Sequence, residues 1–407
     1  MSASFGPDDR LATRPTGSSA ASVLTRPSLR TLFFSFLRLG ATSFGGPGMV
    51  AYVKQLAVNR RGWLSEEEFR EGVALCQAVP GATAMQSAAY VGWRTRQLRG
   101  AVATYVGFGL PAFLLMLGLA IAYQRAINVH AVTSALAGLR ALVVALVANA
   151  AWTFGRPSVT GIRQSAIALA TAIVFLLGGS PFLIVLGAGL AGAIVLRGPA
   201  PATQSSLGPR TDWRPFWPPA AVLSVAALLI TALLMFDHRL ATLALIMMKV
   251  DVFAFGGGFA SVPLMFREIV SVRGWLPASV FLDGIALGQV TPGPIVITAT
   301  FVGYQVAGLI GACVGTAGIS LPSLFVVVLV EPWFQRFRRS PVVQGITRGL
   351  VLSFVGLLAS VTIHFARVVP WSVPTAFIAL GGLVALLRKV DVFWVVLAGA
   401  AISVVVL

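Results

Sequence analysis

Acidic residues are few in this chain: 13 Asp and Glu stand against 30 Lys and Arg in 407 residues, for a net charge of +17. Cysteine is scarcer still. Cys76 and Cys313 fall in apolar runs with unrelated neighbours, which excludes a disulfide framework and a thiolate metal set. His130, His238 and His364 have no companion ligands, so no metal is expected. No HExxH helix and no Ser/Lys or His/Asp constellation marks an intramembrane hydrolase, and no GxxxxGK[ST] loop is there to hold ATP. The chain does not read as an enzyme, and no cofactor is expected. Residues 1–28 lack the short apolar core and small-residue cleavage site of a signal peptide. Rich in Ser, Thr, Pro and Ala, they read as a disordered tail.

What the chain has in quantity is apolar sequence. Hydrophobic residues make up 57% and charged residues 11%. Backbone in lipid must satisfy its own hydrogen bonds, so this composition predicts an all-α polytopic membrane protein set in a lipid bilayer. Apolar segments fall at 31–53, 72–92, 100–123, 131–153, 164–178, 180–196, 217–236, 242–266, 282–304, 305–330, 343–366, 372–387 and 391–407. Several reach the ~20 residues that cross a bilayer and others are marginal, so about 10 to 13 transmembrane helices are expected. The positive charge gathers in the loops between them. That pattern fits the positive-inside rule better than it fits nucleic acid, which is not expected as a partner.

The chain also repeats itself. Residues 31–196 match 242–407 at an offset of 211, give or take short insertions. Arg61-Gly62-Trp63 returns as Arg273-Gly274-Trp275, Phe69 as Phe281, and Pro111 as Pro322. This predicts a tail over 1–30, a first repeat over 31–196, a linker with one extra segment over 197–241, and a second repeat over 242–407. Loops at matching positions carry opposite charge bias. Arg94, Arg96 and Arg99 face an uncharged stretch around Gln305, whereas Arg336, Arg338 and Arg339 face only Arg125. Two repeats of inverted topology would show that reversal, with the amino terminus cytoplasmic. That orientation follows if every segment crosses; a re-entrant first segment would change the parity.

Each repeat is broken twice by Gly and Pro. The first break is Phe44-Gly45-Gly46-Pro47-Gly48, which returns as Phe255-Gly256-Gly257-Gly258. The second is Pro80-Gly81, which returns as Thr291-Pro292-Gly293-Pro294. Such breaks serve close helix packing, or they open half-helix amino termini toward an anion near the bilayer midplane. Their double recurrence favours the opening. Four cations lie within predicted spans, in the pairs Arg38 with Lys249 and Arg140 with Arg348. Snorkelling or a structural ion pair is the plain alternative to cargo contact. With Asp251 placed to neutralise Lys249, three remain unpaired, and their sign selects an anion. Gln77 and Gln289, three residues before the second break, could donate to an oxyanion or bond between helices. Glu71 and Asp283 open the second segment of each repeat. With Asp251 they are the candidate proton carriers, or, more plainly, carboxylates at helix starts.

The Phe-Gly-Gly breaks, the Arg-Gly-Trp loops, the Gln-x-x-Pro-Gly and Gln-x-Thr-Pro-Gly-Pro stretches and the duplication together resemble the chromate ion transporter family, long-chain two-domain type. The resemblance covers both repeats. It implies a multi-pass exporter of chromate in the bacterial inner membrane, conferring chromate resistance, with sulfate as the look-alike oxyanion. The family's Phe-Gly-Gly motif carries over to Phe44, Gly45 and Gly46 and to Phe255, Gly256 and Gly257. Its Pro-Gly-Pro motif carries over to Pro292, Gly293 and Pro294, but the first copy reads Pro80-Gly81-Ala82. That departure implies unequal half-sites. A sulfate carrier and a channel-like or structural subunit stay open as alternatives, as does a homodimer.

Overall fold

The computed structural model describes residues 27–43, 48–196, 237–337 and 340–407, together with Ser224 and Met235. The expected tail, the linker and most of the extra segment at 217–236 lie outside these residues. Among the described residues all regular structure is helical. Repeat one holds α1 (Leu29–Thr42), α2 (Met49–Lys54), α3 (Glu66–Ala78), α4 (Thr83–Ala126), α5 (His130–Ser158), α6 (Ile162–Leu176) and α7 (Pro181–Val195). Repeat two holds α8 (His238–Phe253), α9 (Ser261–Phe266), α10 (Ala278–Val290), α11 (Thr298–Phe337), α12 (Pro341–Val368), α13 (Val373–Leu387) and α14 (Val392–Val406). Even the irregularities repeat. α2 runs into a π turn at Gln55–Arg60, and α9 into one at Arg267–Val272.

The breaks reverse the chain instead of bending it. Lys249 Nζ lies 2.9 Å from Glu268 Oε1, 19 residues further on. In one continuous helix they would stand ~28 Å apart. α8 and α9 are therefore antiparallel arms of a hairpin whose tip is the glycine run. The second break does the same. Gly72 lies against the Tyr90 ring and Gly284 against the Phe301 ring, pairings that fold the chain about Pro80-Gly81 and Pro292-Gly293. An arm of 13 residues such as α3 is ~20 Å long, too short for a ~30 Å hydrocarbon core. These hairpins enter the bilayer and turn back.

A further reversal lies inside α4 at Arg96–Gln97 and inside α11 at Ala307–Gly308, where Gln97 and Gly308 take φ of 55° and 60°. Thr104 Oγ1 donates to Ala88 O at 2.7 Å across the first reversal. Gly92 and Gly100 pack so closely that a Cβ on either would come within 2.2 Å of the other's carbonyl oxygen. Gly303 and Gly311 repeat that contact. In lipid, small residues of this kind let backbones approach where apolar side chains gain little.

The long parts of α4 and α11 run antiparallel through the protein. Tyr105 Oη donates to Ser320 O at 2.9 Å midway. Arg94 meets Glu331 at one end, and Gln124 meets Gln305 at the other. The turn at Arg96–Gln97 thus lies at the first end of the bundle and the turn at Ala307–Gly308 at the second. The repeats are inverted. Helices α4, α5, α11 and α12 are long and apolar enough to cross a membrane. The repeats also exchange partners. α7 packs against α12 where Gly192 meets Gly345 and Gly349, and α14 packs against α5 where Ser403 meets Gly138.

The hairpins also decide where the chain returns between segments. The stretches 31–53, 72–92, 242–266 and 282–304 each hold a reversal, so 54–71 returns to the end of the bundle where α1 begins. Arg96 Nε, bonded to Pro27 O at 2.8 Å, stands at that same end. The helix starts move as well. Ser65 and Glu68 form the capping box of α3, and Pro277 precedes α10. Glu71 and Asp283 therefore sit inside their helices and not at the amino termini.

Candidate anion site at the hairpin tips

The four tips meet in two symmetry-related junctions. Gly81 N–H donates to Ala254 O at 2.9 Å, and Gly293 N–H donates to Ser43 O at 3.0 Å. Each joins the second hairpin of one repeat to the first hairpin of the other. Gly81 and Gly293 reach these bonds at φ of 116° and 117°, and Gly256 and Gly257 turn their tip at 99° and 96°. Side chains other than glycine are strained there. Phe44, Gly45 and Gly46 lie outside the described residues. Beside Gly81, the arm of α4 starts at Thr83 with no side-chain cap, which leaves first-turn N–H groups free for an anion. Gly258, after the partly buried Phe255, packs on Ile295 at the start of the matching arm.

The second-break residues are buried at the junctions except Pro80, which is half-buried. Thr291, Pro292 and Pro294 are all enclosed, and Thr291 Oγ1 donates back to Gly288 O at 3.0 Å. Pro80 O accepts from Gln86 Nε2 at 2.5 Å, while Gln86 Oε1 is buried without a partner. Gln289 Nε2 is likewise buried and unpartnered, whereas Gln77 is exposed.

The four cations do not share one cavity. Arg38 lines a cleft of about 270 Å³ between α1 and the α2 arm, together with Arg60, Tyr52, Gln55, Leu56 and Ser43. No acidic residue lines it. Because Ser43 also accepts the Gly293 amide, this cleft leads from the first end of the bundle to a junction. Lys249, the partner of Arg38 in the repeat, bonds Glu268, not Asp251, and sits 3.6 Å over the Phe182 ring. Arg140 is also paired. Its Nε and Nη2 reach both oxygens of buried Asp283 at 2.6 and 2.7 Å, and Tyr123 Oη donates to the same carboxylate at 2.9 Å. Arg348 is exposed and donates to Leu196 O at 3.3 Å. Glu71, the counterpart of Asp283, makes no ion pair among the described residues.

Asp251 is placed otherwise than expected. It is 1% exposed, and its Oδ1 accepts from Ser323 Oγ at 2.9 Å. Its Oδ2 is buried without a partner. Ser323 Oγ in turn accepts from Ala82 N–H at 3.3 Å, which ties this acid to the Gly81 junction. Gly40 and Ala112 hold the matching places in repeat one, so neither the acid nor its serine partner is repeated there. Sequence reasoning missed Ser323, Gln86, Glu268 and Arg60. A finer alignment of the repeats exposes Glu268, because Arg61 N–H bonds Leu56 O as Arg273 N–H bonds Glu268 O.

Inverted repeats of re-entrant hairpins, with tips joined beside a cationic cleft, define a multi-pass membrane transporter. The chain belongs to the chromate transporter family: the sequence model described as Chromate transporter matches residues 30–193 and again 241–404. An uncharacterized transporter of Methanocaldococcus jannaschii is 40% identical over 94% of this chain and 95% of its own length. A chromate transport protein of Cupriavidus metallidurans is 32% identical over 92% of each. A probable chromate transport protein of Synechococcus elongatus is 31% identical over 89% of this chain and 90% of its own. No solved structure matches the chain.

Proposed function

We propose that the chain is a secondary transporter that exports chromate across the plasma membrane by alternating access and so confers chromate resistance. The observation that carries this is the acid-free Arg38–Arg60 cleft, which runs to the junction at Ser43. Guanidinium forks match oxyanion geometry, and the low dielectric around them strengthens the pairing. In this reading 31–196 and 242–407 are the two half-transporters, 197–241 links them, and the tips of both break pairs form the midplane site. The end of the bundle holding Arg60, Arg61, Arg94, Arg96 and Arg99 faces the cytoplasm. A dianion moving outward across ~100 mV, interior negative, releases roughly 4.6 kcal/mol, so ATP is not required.

Asp251 is the proton carrier in this reading. Of the three expected carriers, Asp283 is held by Arg140 and Glu71 is partly exposed, whereas Asp251 is enclosed and makes no ion pair among the described residues. A carboxyl enclosed there, with one oxygen unpartnered, exchanges a proton with water only when a tip opens.

The test is chromate flux into inside-out vesicles, with sulfate as competitor. Arg38→Ala and Arg60→Ala are expected to lower the initial rate at least about tenfold, the loss of one charge-assisted contact. Wild-type rates in both would remove the cleft from the pathway. Competition by sulfate stronger than by unlabelled chromate would reassign the cargo.

A further inference from the structure

We infer that the first hairpin of repeat two holds a second oxyanion site, whose place is taken in this structure by the carboxylate of Glu268. The inference rests on reading the Arg38 cleft as an anion site, and it extends that reading to the opposite end of the bundle.

The two hairpins superpose in kind. Each has a cation on its first arm, Arg38 or Lys249, a π turn on its second, and an Arg-Gly-Trp turn at its base. Where repeat one presents Leu56 to its cleft, repeat two presents Glu268. The Glu268 carboxylate lies between Lys249, at 2.9 Å, and Arg273, which it also bonds. Its side chain is 8% exposed, whereas those of Lys249 and Arg273 are 46% and 30% exposed. The cations are thus reachable from outside, and the acid fills the space between them.

A carboxylate and a tetrahedral oxyanion offer the same chemistry here: negative oxygens that accept from an ammonium and a guanidinium at once. The repeats are inverted, so the Arg38 cleft opens at the first end of the bundle and the Lys249–Arg273 pair stands toward the second. An oxyanion that passes the tips and leaves at the second end meets these cations and must displace Glu268. One half-site is open while the other is closed by a built-in surrogate for the cargo. This explains why an acid sits in the wall of an anion pathway.

The experiment is equilibrium binding of radiolabelled chromate to the purified full-length protein. The wild type is expected to bind one chromate per chain and Glu268→Gln two. Lys249→Ala in the Glu268→Gln background should return the capacity to one. The double variant K249R/E268L copies Arg38 and Leu56 of repeat one and should also bind two. It serves where Glu268→Gln fails to elute as a monodisperse protein. A capacity of one in both variants overturns the inference. Arg38→Ala tests the reading beneath it: unchanged binding in that variant overturns the cleft, whatever Glu268→Gln does.

Discussion

The two repeats share a backbone and differ in where they put charge. Both fold into the same pair of re-entrant hairpins, with the same π turns, the same left-handed glycines at Gly62 and Gly274 and at Gly81 and Gly293, and matching tip-to-tip hydrogen bonds. Repeat one keeps its cleft open, with no acidic residue among those that line it beside Arg38 and Arg60. Repeat two closes the matching place with Glu268, ties Asp283 to Arg140, and buries Asp251 beside the Gly81 junction. Backbone geometry at the tips tolerates little change, because a hairpin in lipid must turn within a few residues and still satisfy its amides. Side chains along the arms carry no such restraint. Duplication thus supplies a symmetric frame, and acids placed in one half make the two sides unequal.

The sharpest way to break this comparison is the buried ion pair. Asp283→Ala leaves Arg140 without its counter-charge and is expected to destabilise the protein by about 3–5 kcal/mol, the cost of orphaning one partner of a buried pair. Glu71→Ala, at the matching site, is expected to shift thermal stability by less than about 0.5 kcal/mol. Melting of the detergent-solubilised variants measures both, and equal losses would mean that Glu71 has a partner of its own.

Next come the junction glycines. A Cβ at Gly81 would stand 2.0 Å from Ser323 Oγ and 2.6 Å from Gln86 Nε2, whereas one at Gly293 would meet the Ala112 methyl at 2.7 Å. Each replacement by Ala adds left-handed strain of roughly 1–2 kcal/mol to overpacking of about 1–3 kcal/mol. Gly81→Ala is expected to cost more, because it also disturbs the Asp251–Ser323–Ala82 chain. Vesicle flux and melting temperature together rank the two, and a harmless Gly81→Ala would show that the junction is not a tight contact.

The Asp251 junction offers a third test. In proteoliposomes carrying a pH-sensitive dye, Asp251→Asn is expected to abolish chromate-dependent proton movement while chromate-for-chromate exchange stays within about twofold of wild type, since the amide keeps the size of the side chain and an oxygen to accept from Ser323. Proton movement equal to wild type would take Asp251 out of the coupling.

The smallest effect belongs to the reversal inside α4. Thr104→Val removes the bond to Ala88 O and is expected to cost about 0.6 kcal/mol, the mean for interhelical bonds in lipid. Thr316→Val, which loses the 2.7 Å contact with Thr300, should cost a similar amount. A difference larger than ~1.5 kcal/mol would show that the two reversals are not equivalent.

Much of this architecture is legible in the residues. Apolar composition set the class, the 211-residue offset revealed the duplication, and Gly-Gly and Pro-Gly marked the places where helices end. Family membership followed from the same motifs. Hairpin reversal was not legible, because a glycine pair bends or reverses a chain with equal ease, and the outcome depends on what packs around it. The pairing of charges was hidden for the same reason. Asp251 lies two residues from Lys249, yet residues two apart on a helix point to different sides. Lys249 found Glu268 across a hairpin, and Asp251 found Ser323 on another helix.

The sequence by itself determined that this is a duplicated helical membrane protein with interrupted segments, because hydropathy and repetition are properties of the chain read along its length. Only the tertiary structure decided which charges are opposed, which cleft is open and which tips touch. Those depend on contacts between residues far apart in sequence, and in a low-dielectric interior a partner a few ångströms away outweighs every neighbour along the chain.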